Sequence, residues 1–326
     1  MVCGRWRGAD MEREKFSQGF IRLMAVTDPA QLSQELVPFL EGNGFGYGSR
    51  TAANIMLLKE VCAAETLLQI VTDARLTPSP DQALNAFERL TGVLPPETMT
   101  RLAERKKGLT QCILLCGSSP FLVSLMYKAP EIISWLFLEG GIEVGRSAEN
   151  MLAAVAATVE EDTDFHSLQR ALRCFKRREI VRIAARDLNG LAPLEEVMRE
   201  LSDLASSTLQ VAYNSCRRCL IRDHGVPLLI AEGEHPPREA EMTVIGMGKL
   251  GGRELNFSSD IDIIYFYEAD RGETTGIDNG SGGCKGGISL HAFFNKLGEM
   301  VSKALSQITE DGFVFRVDVG LRPEGK

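Results

Sequence analysis

The stretch Gly246-Met-Gly-Lys-Leu-Gly-Gly-Arg-Glu-Leu-Asn-Phe-Ser-Ser-Asp-Ile-Asp262 decides how this chain is read. From Asp260 it runs on as Asp-Ile-Asp-Ile-Ile-Tyr-Phe-Tyr267, β-branched and aromatic, which predicts a strand. Side chains alternate faces along a strand, so Asp260 and Asp262 share one face while Ile261, Ile263 and Tyr265 point into a core. Two neighbouring carboxylates repel unless a cation lies between them. Hard oxygen donors of this kind suit Mg²⁺, which completes its shell with water and phosphate oxygens. A third carboxylate, Asp318, lies in Arg316-Val-Asp-Val-Gly-Leu-Arg322. Placed on a strand beside the first, it joins Asp260 and Asp262 as a predicted catalytic and metal-ligating trio. Such a trio can hold two divalent ions for in-line displacement at phosphorus.

The residues before the carboxylates fit a phosphate. Met242 to Gly248 predicts a short buried strand, and Gly248, Gly251 and Gly252 bracket its end. Lacking Cβ atoms, these glycines let backbone N–H groups approach phosphate oxygens. A short helix beginning near Gly252 would add its N-terminus. Ser258 and Ser259 supply hydroxyls, and Lys249, Arg316 and Arg322 supply positive charge. Arg316 is the best placed of the three, two residues before Asp318 and so on the same strand face.

Working outward, Arg271 to Ser289 holds seven glycines and reads as a mobile loop. Leu290 to Ile308 is a helix with an apolar face of Phe293, Leu297, Met300, Val301 and Leu305. After a turn at Asp311-Gly312, Phe313 to Val319 is the third strand. Strand, short helix, strand, long helix, strand makes a small mixed sheet, an α+β unit over 240–326. Two long helices lead into it, Phe165 to Asn189 and Leu194 to Asp223, then a linker from Glu232 to Arg238. The first of these carries Arg170, Arg173, Lys176, Arg177, Arg178, Arg182 and Arg186 on more than one face. The expectation for that row is a solvated surface with some ion pairs; the alternative is contact with a nucleotide phosphate or an acidic partner.

Residues 1–162 read as helix after helix, a region separate from the 163–326 domain. Asp28-Pro29, Ser79-Pro80 and Ser119-Pro120 predict helix starts, because a short oxygen-bearing side chain accepts a free N–H and proline has none to leave unpaired. Gly42, Gly92 and Gly140-Gly141 predict stops. The segment Ala52 to Arg75 carries Ile55, Leu58, Cys62, Leu67 and Ile70 as roughly one buried stripe.

The 326 residues, 44% hydrophobic and 25% charged, suit about two globular domains. A net charge of −8 argues against a general nucleic-acid surface. No apolar run approaches the ~20 residues of a membrane span. Eight scattered cysteines and the absence of a signal-peptide pattern after Met1 predict reduced thiols and a cytoplasmic setting. Cys216-Arg-Arg-Cys219 has the spacing of a metal or redox pair, but zinc needs four ligands and no second pair lies near.

The order of glycine turn, short helix, Ser-Ser-Asp-Ile-Asp and later strand Asp resembles the nucleotidyltransferase superfamily with a DNA polymerase β-like fold. Residues 246–262, with Asp-Gly-Phe-Val-Phe-Arg-Val-Asp-Val-Gly-Leu-Arg-Pro at 311–323, look like the glutamine synthetase adenylyltransferase family. So does Leu172 to Ile183, and the likeness is specific from about 165 onward. Members carry two such units, one that removes AMP from glutamine synthetase and one that adds it. The helical lead-in after Met1 resembles the N-terminal, adenylyl-removing unit, and the family would continue past Lys326. The resemblance implies attack of inorganic phosphate on an adenylylated tyrosine of glutamine synthetase, releasing ADP, with Mg²⁺ on the three aspartates. It also implies ATP or ADP as nucleotide, the PII signal protein as a possible effector, and no nucleic-acid or membrane partner. Two other readings stand beside it: adenylyl transfer from ATP, and a non-catalytic docking fragment. Gly320 departs from the family pattern, which commonly has Arg there.

Overall fold

A computed structural model describes residues 3–229, 238–278 and 283–320, with side chains from residue 12 onward. The linker expected at 232–238 therefore lies almost wholly outside the described residues, as does Arg322. The chain divides into two compact units, Met1–Val144 with Ala184–Leu191, and Gly145–Ile183 with Ala192–Lys326.

The first unit is helical: α1 (Cys3–Met24), α2 (Pro29–Glu41), α3 (Gly48–Val61), α4 (Ala64–Arg75), α5 (Pro80–Thr91), α6 (Pro96–Glu104), α7 (Lys106–Ser118), α8 (Pro120–Lys128) and α9 (Glu131–Ile133). A π-helical turn, Ser134–Leu138, follows directly. Asp28 accepts from the backbone N–H of Ala30 and Gln31, and Ser119 from that of Leu122, so both cap as expected. Ser79 makes no such bond; Pro80 alone marks that start. The stripe read over 52–75 is two helices, because the chain is extended at Cys62 and Ala63. Helix α7 packs against α4 and α5 and buries Leu109, Cys112, Ile113, Leu115 and Cys116 completely. Full burial of each leucine or isoleucine is worth roughly 1.5–3 kcal/mol. No single described helix is long and apolar enough to cross a membrane; α7 and α8 meet that measure only together, with a 120° bend between them.

The second unit begins with α10 (Ala148–Ala156), α11 (Phe165–Leu188, its final residues grouped with the first unit) and α12 (Leu194–His224). Helix α10 precedes the sequence boundary at 162 but packs against α12. Gly225, at φ +82°, closes α12. Three small sheets follow among the described residues. The one that matters here has β3 (Met242–Gly246) antiparallel to β4 (Ile261–Tyr267), and β4 parallel to β8 (Val317–Asp318). The others are β1 (Pro227–Leu229) between β2 (Arg238–Glu239) and β5 (Gly272–Thr274), and the pair β6 (Ile277–Asp278) with β7 (Cys284–Lys285). The glycine-rich stretch thus holds three short strands among its described residues, with 279–282 outside them. Helix α13 spans only Gly248–Gly251, and α14 spans Leu290–Ser306.

Ile261 and Ile263 are fully buried, as the alternation requires, and the Tyr265 hydroxyl is 3.0 Å from that of Ser302 on α14. On α14, Phe293, Leu297, Val301 and Leu305 are buried, and Met300 lies at the margin. Three expectations need correction. Strand β3 is not buried: it is an edge, and Ile245 is exposed. The third strand is two residues long rather than seven, since 313–316 pack as an irregular segment. The short helix starts at Gly248, and Gly252 is its C-cap rather than its beginning.

The cationic row of α11 is solvated only in part: Arg170 and Arg178 are exposed, and Lys176 and Arg177 are half-buried. Arg173, Arg182 and Arg186 are almost fully buried. Within the second unit Arg182 donates to Glu179 at 2.7 Å and pairs with Glu200 at 3.1 Å, while Arg146 pairs with Glu179 at 3.2 Å and donates its backbone N–H to Glu200. Arg186 donates to the Ile142 carbonyl within the first unit.

Candidate functional site

The β4–β8 register sets the geometry. Ile261 stands opposite Val317, and Asp262 opposite Asp318. Two acids far apart in the chain are thereby side by side on adjacent parallel strands. The Ile261 N–H donates to the Arg316 carbonyl at 2.9 Å, which puts residue 316 beside residue 260. Asp260 lies one residue ahead of β4 and its carboxylate is taken by the Arg316 guanidinium, which also donates to the Ser258 carbonyl at 3.1 Å. Asp318 accepts from the Gly320 N–H at 2.7 Å.

The glycine turn closes on the same place. The Met247 N–H donates to the Asp262 carbonyl at 2.8 Å. Gly248 sits at φ +52°, and a Cβ there would come within 2.5 Å of Asp262 Oδ2. A Cβ on Gly251 would meet the Gly246 carbonyl at 2.6 Å. These two glycines are thus required by the protein's own close packing, Gly248 against a carboxylate and Gly251 against β3. Gly252 meets nothing closer than 3.5 Å. Lys249 is exposed. The Ser259 hydroxyl donates to Asn256 Oδ1 at 2.7 Å, and the Ser258 N–H reaches the same oxygen at 3.3 Å, so both serines belong to a turn built on Asn256.

The donors are hard oxygens on neighbouring strands, exposed or half-exposed, which suits a divalent cation in kind. They do not form a closed cage: among the described residues no group of three His, Cys, Asp or Glu side chains stands ready to hold a metal ion. The arrangement accounts for this. Asp262 and Asp318 are in register, whereas Asp260 is held by Arg316.

One anchor escaped the sequence reading. Arg253 is the one non-glycine among the described residues at positive φ, +57°. Its guanidinium donates at 2.6 Å to Asp203, a buried carboxylate of α12, and the Leu255 N–H donates to Ser202 at 3.2 Å. Burial raises the Asp203 carboxyl above its ordinary range, and the Arg253 charge opposes that shift. Together these contacts fasten the end of the glycine turn to α12. The Arg following paired glycines was visible in sequence; its partner was not. The Cys216 thiol is buried in α12 and pushed up to about 12 by that burial, which suits a core residue.

The profile of the family described as glutamate-ammonia ligase adenylyltransferase matches residues 109–326. The chain is similar to proteins named bifunctional glutamine synthetase adenylyltransferase/adenylyl-removing enzyme. The one from Thioalkalivibrio sulfidiphilus is 40% identical over 212 residues, covering 64% of this chain and 20% of that protein. The one from Pseudomonas aeruginosa is 35% identical over 253 residues, 77% of this chain and 24% of that protein. The one from Nitrosomonas europaea is 42% identical over 173 residues, 52% and 17% respectively. The chain thus spans about a fifth of the length of these relatives.

Proposed function

We propose a reaction from one premise: this chain belongs to the glutamate-ammonia ligase adenylyltransferase family. The reaction is phosphorolysis. An oxygen of inorganic phosphate attacks the α-phosphorus of an AMP-tyrosine on glutamine synthetase, the bond to the tyrosine oxygen breaks, and the products are ADP and the free tyrosine. The observation that carries this reading is the pairing of Asp262 with Asp318 beside the Gly248 turn.

Asp262 and Asp318 would hold Mg²⁺, with Asp260 as third ligand once it leaves Arg316. When bound, the metal neutralises charge on the α-phosphate and on the departing phenolate oxygen. The rest falls to the chain itself. The backbone of Asp262 is fixed by its strand and by the Met247 N–H that donates to its carbonyl, which sets where its side chain begins. The Gly248–Gly252 turn borders the carboxylates and is the surface for the nucleotide phosphates, with Lys249 exposed alongside. Arg316, which donates to the Asp260 carboxylate and to the Ser258 carbonyl, is the guanidinium placed to meet the incoming phosphate. The phenol leaves with a pKa near 10, so a counter-charge on its oxygen replaces much of the need for a proton donor.

The same geometry serves adenylyl transfer from ATP to the tyrosine. We favour phosphorolysis because a helical region precedes the carboxylate strands, the order expected of an adenylyl-removing unit. Glutamine synthetase is the proposed protein substrate and the PII signal protein a proposed effector. The deciding experiment incubates the chain with adenylylated glutamine synthetase and Mg²⁺, with and without phosphate. Phosphate-dependent ADP release that falls more than about 10²-fold in Asp260→Asn is the expected result. Release independent of phosphate, or untouched by that substitution, refutes the reading.

A further inference from the structure

Strand β8 is two residues long, so its own ladder bonds are too few to fix where Asp318 lies. What fixes it is the segment leading in from α14, and that segment rests on one face of α11. Gln169, Arg173, Lys176 and Arg177 fall at i, i+4, i+7 and i+8, a single helical stripe. Gln169 donates to the Lys303 carbonyl at 3.1 Å and to Gln307 Oε1 at 3.0 Å. Arg173 donates to the Gln307 carbonyl at 2.9 Å. Arg177 pairs with Asp311 at 2.8 Å, with both side chains mostly covered. The Lys176 ammonium lies 5.5 Å from the centre of the Phe313 ring and 5.8 Å from that of Phe315, a cation–π contact with both. From there the chain has little freedom. The N–H groups of Val314 and Phe315 both donate to the Leu305 carbonyl, Val314 and Phe315 are buried, and the Arg316 carbonyl is held by Ile261.

We propose that Arg173, Lys176 and Arg177 are positioning residues that set the place of Asp318 beside Asp262. This rests on reading those acids as metal ligands. None of the three cations touches the site. They act through residues 307–315, which hang between a rigid helix face and a two-residue strand. Positioning matters here because displacement of a reacting or coordinating group by about 1 Å can cost on the order of 10²-fold in rate. The cations of α11 thereby gain a role that is neither a solvated surface nor a phosphate site.

The test uses Mn²⁺ as probe, with binding to the full 326-residue chain followed by the electron paramagnetic resonance of the free ion, without nucleotide. Arg177→Gln and Lys176→Met are each made in the native chain and in an Asp318→Asn background, and thermal unfolding is recorded for all. Lys176→Met keeps the apolar stem against both rings, so it reports on the contact even where Arg177→Gln unfolds the chain. In the native background each variant is expected to weaken Mn²⁺ binding about three- to tenfold, and in the Asp318→Asn background not at all. Arg177→Lys restores most of the loss. A purely structural role would weaken both backgrounds alike, and that result overturns the proposal. So does unaltered binding in the α11 variants while Asp318→Asn itself binds weakly; the carboxylate reading then survives alone. Should Asp318→Asn leave Mn²⁺ binding unchanged, that reading falls and the inference with it.

Discussion

Two clusters in the second unit use the same residue types for opposite ends. Around Arg182, the carboxylates of Glu179 and Glu200 are fully buried and matched by Arg182 and Arg146. Around Asp262, the carboxylates of Asp260 and Asp318 are exposed, and the Arg316 guanidinium pairs with Asp260 while Asp318 accepts from the Gly320 N–H. In the first cluster water has been removed, so every charge needs a protein partner and the arrangement is rigid. In the second, water screens the repulsion among three acids, and the shortfall of positive charge is what an incoming cation can satisfy. Burial, more than composition, separates charge that holds a fold from charge that is available for chemistry.

Removing one partner from each cluster is the strongest way to break this contrast. Arg182→Ala leaves two buried carboxylates short of a partner and is expected to cost about 3–5 kcal/mol, read from the midpoint of urea unfolding. Asp262→Asn is expected to leave that midpoint within about 0.5 kcal/mol of native. It should nevertheless lower phosphate-dependent ADP release more than about 10²-fold. If Asp262→Asn proves as destabilising as Arg182→Ala, the exposed acids are structural and the contrast fails.

Arg253 stands between the two clusters in kind, a half-exposed cation on a buried acid with backbone strain beneath it. Arg253→Ala keeps the strained backbone and strands Asp203, an expected loss of about 1–3 kcal/mol. Arg253→Gly loses the same ion pair but relaxes the left-handed conformation, and should recover about 1 kcal/mol of that loss. Equal stability of the two variants would mean that φ at 253 carries no strain. Acid sharpens the comparison further. Arg177, with Arg170 and Arg173, holds the Asp311 carboxyl below its ordinary range. A depressed folded value means that the contribution is complete above the unfolded pKa of about 4 and is lost as pH falls through the folded one. Asp311→Asn should therefore flatten the fall in thermal stability below about pH 4, while leaving the curve at neutral pH parallel to native.

Much of the candidate site was legible because strands obey a period of two. Asp260-Ile-Asp262 announced its two faces, and the buried isoleucines obey them. Helix α14 was legible for the same reason at a period of 3.6. What no local pattern contains is the partner of β8. The register that sets Asp318 against Asp262 depends on a segment held by α11, distant in sequence. The α11 cations misled because arginine normally signals solvent, and a charged helix buried on several sides has no apolar stripe to announce it. Gly248 and Gly251 were read as a cradle for phosphate, yet each meets a protein oxygen first. Composition shows that a close approach occurs, and only tertiary structure shows what approaches.

The smallest expected effect has the most informative sign. Arg316 bonds Asp260 across a pair that is half exposed on both sides, so the bond itself is worth about 1 kcal/mol at most. Its charge also repels any cation arriving at the acids. Both effects oppose metal binding, and Arg316→Gln should therefore tighten Mn²⁺ binding to the nucleotide-free chain by about two- to fivefold. With substrate present the sign reverses. The lost guanidinium no longer meets phosphate, and the concentration of phosphate needed for half-maximal ADP release should rise. A single residue that hinders the cation and helps the anion is what an exposed, under-neutralised cluster predicts. A variant that weakens Mn²⁺ binding would instead make Arg316 a buttress for Asp260, and the site would then resemble the buried cluster it has been set against.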